Sequence, residues 1–342
     1  MAILLRALLA LLLLTAAGEA GAGDWGVGIR RLTVADPVAG GPMDVVVVHP
    51  SPTGASPTGA SPAGPAVTRI GPYDVSGVRD AAVAEGRFPV VALSHGSLGS
   101  PLGHHDLATA LAKRGFVVVA PAHPGDNVRD DHGLGAVSTL FGRPMQVSAA
   151  LEAVLADAAL APHVDAARVG VAGFSAGGET ALILAGARPE PERLLAYCAG
   201  RLDDRDLCAA RGRMRLDRPD LGPVGDGRVK ALFLMAPKGV LFGAAGLEAV
   251  RVPVRLYAAE RDGQLGLAAN AGALARDLPA RPVPVLLEGA GHFVFLAPCS
   301  TELAAAAPFL CRDPEGVDRA GLHDRINADA AAFFTTALGA PR

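Results

Sequence analysis

The tightest constraint in the chain is the run RVGVAGFSAGGETALILAGA at residues 168–187. RVGVA has the compact apolar character of a buried strand and ALILAGA the composition of a helix, while GFSAGG between them puts a serine two residues from a glycine on either side, with alanine directly after it. A chain turns this sharply from strand to helix only where the side chains at the corner are absent or small. The segment predicts a strand, a tight turn with Ser175 at its apex, and a helix.

The rest of the sequence repeats that alternation. Compact apolar runs occur at 89–94, 116–120, 229–235, 252–258 and 283–287, preceded by shorter strand candidates at 29–34 and 45–48. Helix-length segments at 106–114, 144–159 and 177–187 supply crossovers, so the pattern predicts a mainly parallel sheet with helices on both faces. One α/β domain over 24–340 is the simplest architecture, closed by a packed helix at 318–338 that polar turn formers interrupt. Two stretches break the rhythm. The imperfect repeat SPTGASPTGASPAGP at 51–65 reads as a flexible exposed loop, and the Arg/Asp-rich segment 189–227 as a cap or pocket-border excursion.

Composition excludes some partners. With 31 basic and 34 acidic residues the formal charge is -3, which gives no electrostatic reason to expect nucleic acid. Arg6 precedes an apolar run at 7–14 and then small residues through Ala22, which reads as a signal peptide over 1–20 with cleavage at 18–22. That run is too short for an ordinary bilayer-spanning helix, so no stable membrane span is expected after cleavage. The expected destination is exported, either periplasmic or extracellular. In an oxidising compartment the four cysteines permit three complete pairings, of which Cys198 with Cys208 and Cys299 with Cys311 needs no further topological assumption.

A serine is a poor nucleophile near neutral pH, so Ser175 requires a base and an orienting carboxylate. His292 follows the strand-like VPVLLE within GAGHFVF, and Asp262 follows VPVRLYAAE. The chain order Ser175, Asp262, His292 is the one expected for an acyl-transfer site built on strand ends. Glu260, two residues before Asp262, is the alternative acid. Backbone N–H groups of Ala176, beside the nucleophile, and Ser97, in SHGS after an earlier strand, are expected to form the oxyanion hole.

These motifs resemble the exported dienelactone-hydrolase-like branch of the α/β-hydrolases, related to platelet-activating-factor acetylhydrolases. The resemblance covers most of the mature chain and is carried by GPYDV at 71–75, RFPVVALSHGS at 87–97, PAHPGDN at 121–127, DAARVGVAGFSAGG at 165–178 and GAGHFVFLAPC at 289–299. It implies a single α/β-hydrolase domain, places Ser175, Asp262 and His292 in the triad, and gives Ser97 and Ala176 as oxyanion donors. Dienelactone hydrolases themselves use a cysteine nucleophile where this chain has Ser175, so a dienelactone substrate is not implied. Phe174 stands where related sequences often carry a histidine, with consequences for pocket packing.

The implied activity is serine-dependent hydrolysis of carboxylic esters, with a small ester or lipid-like substrate and short-chain esters first in line. Phospholipid acyl groups, lactones and polyesters share the same attacked carbonyl. Amidase or peptidase chemistry, and an exported non-catalytic ligand-binding protein, are the other readings, and oligomeric state is left open. His95, His104, His105, Asp106, His123, Asp126, Asp130, Asp131 and His132 form a dense polar set, but it lacks HExxH or calcium-loop spacing and no catalytic metal is expected. Asp106 and His105 are expected to organise the first helix, and His123 and Asp126 a loop bordering the pocket. No phosphate-cradling or dinucleotide fingerprint occurs, so no nicotinamide, flavin or nucleotide cofactor is implied.

Overall fold

Strands that are apolar on both sides must be covered on both sides, and alternate residues of the central strands divide accordingly. In β6 (Phe88–Ser94), Val90 and Ala92 join one core cluster while Val91 and Leu93 join the other. Val117 and Val119 of β7 (Val117–Pro121) separate from Val118 and Ala120 in the same way. The computed structural model describes residues 25–54, 66–201, 207, 208, 212 and 214–340. The signal segment 1–20 and most of the 51–65 repeat lie outside them.

The remaining strands are β1 (Gly26–Ala35), β2 (Pro42–Ser51), β3 (Val67–Ile70), β4 (Tyr73–Ser76), β5 (Val78–Arg79), β8 (Val164–Phe174), β9 (Val229–Met235), β10 (Val254–Ala259) and β11 (Val285–Leu287). Among the described residues they build a nine-stranded sheet of order β11-β10-β9-β8-β6-β7-β2-β1-β5, with β3 and β4 as a separate hairpin. From β7 through β11 in that order all neighbours are parallel, and β2 is antiparallel to both β7 and β1. This is the expected mainly parallel α/β sheet.

Helices α2 (Val137–Ala156) and α3 (Ala176–Leu184) cover one face through Val147, Leu151, Val154 and 181–184. Helix α1 (His105–Lys113) and the C-terminal helix Arg319–Leu338 cover the other through Leu107, Leu111, Ile326 and Phe334. A Cβ at Gly170 would lie 2.5 Å from the Phe334 ring, so this glycine admits the C-terminal helix against β8.

The structure differs from the sequence pattern in two helices. Pro144 was expected at a helix start, yet it lies inside α2, which begins at Val137. Phe141, Gly142, Arg143 and Pro144 are all buried, and tertiary packing outweighs the local cost of proline. The C-terminal helix runs unbroken for 20 residues and is capped by Asp318, whose side chain accepts the Gly321 N–H.

Within 189–227, α4 (Pro191–Ala199) is tied to Cys208 by the Cys198–Cys208 disulfide. The later part of this segment is anchored to the start of α2: Val137 N–H donates to Arg215 O at 3.0 Å and Ser138 N–H to Asp217 Oδ1 at 3.0 Å. The second expected disulfide, Cys299–Cys311, is also present, and closing a loop of this size stabilises a fold by about 3 kcal/mol. Two such bonds are consistent with an oxidising, non-cytoplasmic environment. No helix among the described residues is long and apolar enough to cross a membrane.

Candidate active site

In a parallel α/β sheet the loops beyond the carboxyl ends of the strands share one edge, and side chains distant in sequence meet there. β6 leads to His95, Gly96 and Ser97, β8 to Ser175, β10 to Asp262 and β11 to His292. Ser175 has φ 55° and ψ -116°, a left-handed conformation rare for a residue with a side chain, and this lifts its hydroxyl out of the turn.

The turn exists because of its glycines. A Cβ at Gly173 would lie 2.2 Å from Gly177 O, and one at Gly177 would lie 1.9 Å from Ser94 O. Both obstacles are backbone and cannot rotate away. Gly177→Ala is expected to lower stability by about 1–3 kcal/mol through forced separation of α3 from β6. Thermal melts beside ester turnover would check this, and an unchanged melting temperature would show that the turn tolerates the methyl group.

His292 Nε2 accepts the Ser175 hydroxyl at 3.0 Å, and its Nδ1–H donates to Asp262 Oδ2 at 2.7 Å. Both side chains of the His292–Asp262 pair are buried. The second Asp262 oxygen accepts the N–H groups of Gln264 and Leu265 at 2.9 and 2.7 Å, which fixes the carboxylate plane. Glu260 is exposed and its carboxylate accepts Gly289 N–H at 2.7 Å. Phe174 packs behind the histidine, with ring centroids 4.8 Å apart, and also meets His104 at 5.3 Å.

Two backbone segments lie beside Ser175. Ala176 is the first residue of α3, where N–H groups lack an intrahelical acceptor. Ser97 lies one residue after Gly96, where a Cβ would be 3.3 Å from the Ser175 Cβ.

With this geometry in view, residues 78–207 match the dienelactone hydrolase family. The chain has the α/β-hydrolase fold and carries a dienelactone-hydrolase-family-like domain. Among solved structures, a ferulic acid esterase from Streptomyces cinnamoneus is similar over 94% of this chain and 92% of that chain, with 20% identity and a TM-score of 0.63. A search of curated proteins found no match. The family likeness supports a general serine-hydrolase type of esterase activity and specifies no substrate.

In this α/β-hydrolase scaffold the polar set read from the sequence divides into separate groups. Among the described residues, no cluster of three or more His, Cys, Asp or Glu side chains is arranged to hold a metal ion. His132 pairs with Asp130 at the surface. Asp106 does more than organise α1: it accepts from His323 Nδ1 at 2.6 Å and from Asn327 at 2.8 Å, joining α1 to the C-terminal helix.

His323 bears directly on the site. Its other nitrogen donates to Val294 O at 2.7 Å, while His104 Nδ1–H donates to Phe295 O at 2.9 Å, so the turn that follows His292 is held from two sides. Burial lowers the His104 pKa to about 4, leaving a neutral ring. Burial also acts to lower the His323 pKa, but the hydrogen bond and charge of Asp106 and the Val294 carbonyl outweigh it and raise the value. Arg319 opposes that rise and His105 lies near the same carboxylate. A raised histidine pKa contributes stability that is present below the unfolded value of about 6.5 and lost as pH rises through the folded value. His323→Gln is therefore expected to lower the melting temperature more at pH 5.5 than at pH 9. Equal losses at both values would show that a His323 imidazolium contributes nothing to stability.

Sequence reasoning overlooked His323, Arg143 and Gln146. Arg143 and Gln146 are one helical turn apart and both fully buried on α2, and two long polar residues at this spacing within an apolar helix were the available signal.

Proposed function

We propose that this chain is an exported serine esterase that hydrolyses carboxylic esters through an acyl-enzyme. The observation that carries the reading is the continuous hydrogen-bonded path from Ser175 Oγ through His292 to Asp262, at 3.0 and 2.7 Å, with the serine on a strained strand-to-helix turn.

In the first half-reaction Ser175 Oγ attacks the ester carbonyl while His292 Nε2 takes its proton. The imidazolium so formed is stabilised by Asp262, which stays ionised and keeps the Nδ1–H tautomer in place. Negative charge on the carbonyl oxygen is received by the N–H groups of Ala176 and Ser97. His292 then gives its Nε2 proton to the departing alcohol, leaving Ser175 acylated. Water enters, loses a proton to His292 and attacks the acyl carbon, and collapse releases the acid as His292 returns that proton to Ser175 Oγ. No step requires a cofactor.

Short-chain esters are the proposed substrate class. The signal-like segment 1–20 and the two disulfides support action outside the cytoplasm, in the periplasm or beyond the cell. The test is a panel of p-nitrophenyl esters of increasing acyl length, with a feruloyl ester, a lactone, a phospholipid and an anilide beside them. Highest kcat/KM on acetyl to butyryl esters is expected. Anilide cleavage at comparable kcat/KM would move the chain to the amidases, and no turnover by folded protein would favour a ligand-binding role.

A further inference from the structure

An oxyanion hole works only if its donors are aimed before charge develops. Ala176 N–H is aimed by the axis of α3. Ser97 has no such support, being exposed on the segment after β6 and followed by Leu98 at φ 55°.

The Ser97 N–H belongs to the Gly96–Ser97 peptide, which is planar and trans, so the direction of Gly96 O sets the opposite direction for the N–H. Gly96 O is held by two donors, His95 Nδ1 at 2.7 Å and Gly99 N–H at 3.1 Å. A Cβ at Gly99 would fall 2.8 Å from Gly96 O and 2.9 Å from His95 Nδ1, so this arrangement also requires glycine there. The imidazole is itself oriented. His95 Nε2 accepts His123 N–H at 3.3 Å, which leaves the ring proton on Nδ1, facing Gly96 O. Burial and the nearby Arg143 charge lower the His95 pKa to about 3, so the ring stays neutral.

Two further clamps bracket the same peptide. Arg143 Nη2 donates to His95 O, and Asp126 Oδ1 accepts Leu98 N–H at 2.8 Å. The clamps are joined, because Arg143 Nη1 donates to Asp126 Oδ2 at 2.6 Å with both side chains almost fully buried. A buried ion pair seldom stabilises a fold more than apolar residues of the same volume, so its contribution here is sought in what it orients.

We propose that His95, Asp126 and Arg143 are positioning residues that aim the Ser97 N–H at the oxyanion formed on attack by Ser175. The proposal rests on the ester-hydrolase reading above. All three are buried, and each acts through the backbone of residues 95–98.

The test compares His95→Phe, which keeps a ring but removes the donor, with His95→Asn, whose amide can donate from the Nδ1 position. His95→Phe is expected to lower kcat about 10- to 100-fold with KM changed by less than about threefold. Its affinity for a trifluoromethyl ketone, which mimics the tetrahedral adduct, should fall by the same factor as kcat/KM. His95→Asn should recover most of both. Asp126→Asn and Arg143→Lys should show the same kcat-selective loss, and they carry the test if His95→Phe does not fold. Wild-type kcat and ketone affinity in these folded variants would overturn the proposal while leaving Ser175 chemistry intact, as would a lower kcat with unchanged ketone affinity. Absence of ester turnover in the wild type, or its survival in Ser175→Ala, would overturn the ester-hydrolase reading and this proposal with it.

Discussion

Ser175→Ala is expected to lower kcat by about 10⁵- to 10⁶-fold while leaving KM within a few-fold. The hydroxyl is the only group asked to form a bond to substrate, and its removal leaves the oxyanion donors and the binding surface in place. Residual hydrolysis is therefore expected to remain above the rate in water, by about 10³-fold, because donors aimed at the carbonyl oxygen still act on attack by water. The substitution also removes the hydrogen bond to His292 Nε2 but no packing, so the melting temperature should change little. Steady-state kinetics on a short-chain ester, with a matched thermal melt, separates the chemical effect from unfolding.

The second large effect distinguishes the two acidic residues that leave β10. Asp262→Asn is expected to lower kcat about 10⁴-fold, because the amide favours the wrong tautomer of His292 and no longer stabilises the imidazolium. Glu260→Gln should retain activity within a few-fold. Its carboxylate lies at the surface and receives Gly289 N–H, and an amide oxygen can accept the same bond. The contrast is informative because the residues are two apart on one loop, so a general disturbance of that loop would affect both. Full activity in Asp262→Asn together with loss in Glu260→Gln would reverse the assignment.

Much of this site was legible because its demands are local. The GFSAGG turn must be small at Gly173 and Gly177 whatever else the chain does, and each would otherwise drive a Cβ into backbone. Asp262 and His292 were legible for a different reason: a parallel sheet delivers every strand exit to one edge, so position after an apolar run stands in for proximity. Glu260 and Asp262 could not be separated by that rule. What separates them is the path of the chain after Ala259, where Asp262 turns inward to receive Gln264 and Leu265 N–H.

The parts that stayed hidden depend on distant partners. Pro144 marks a helix start by local rules, yet a buried face from Phe141 through Leu151 extends α2 seven residues ahead of it. Asp126 was recognised as a loop residue, but nothing near it in sequence points to Arg143, which reaches it from the middle of a helix. His323 belongs to an alanine-rich helix, and its link to the His292 turn appears only when that helix packs beside α1. Phe174 reads as an apolar substitution, whereas in the fold its ring forms the wall behind His292.

The proposed mechanism requires Ser175 to be a nucleophile activated by His292. It is tested most directly by treating the folded protein with a fluorophosphonate and mapping the adduct by peptide mass spectrometry while ester turnover is followed. Stoichiometric modification of Ser175, loss of turnover in step with labelling, and no adduct in Ser175→Ala or His292→Ala are expected. Turnover that persists after complete labelling, or an adduct on another residue that alone tracks the loss of activity, would contradict it.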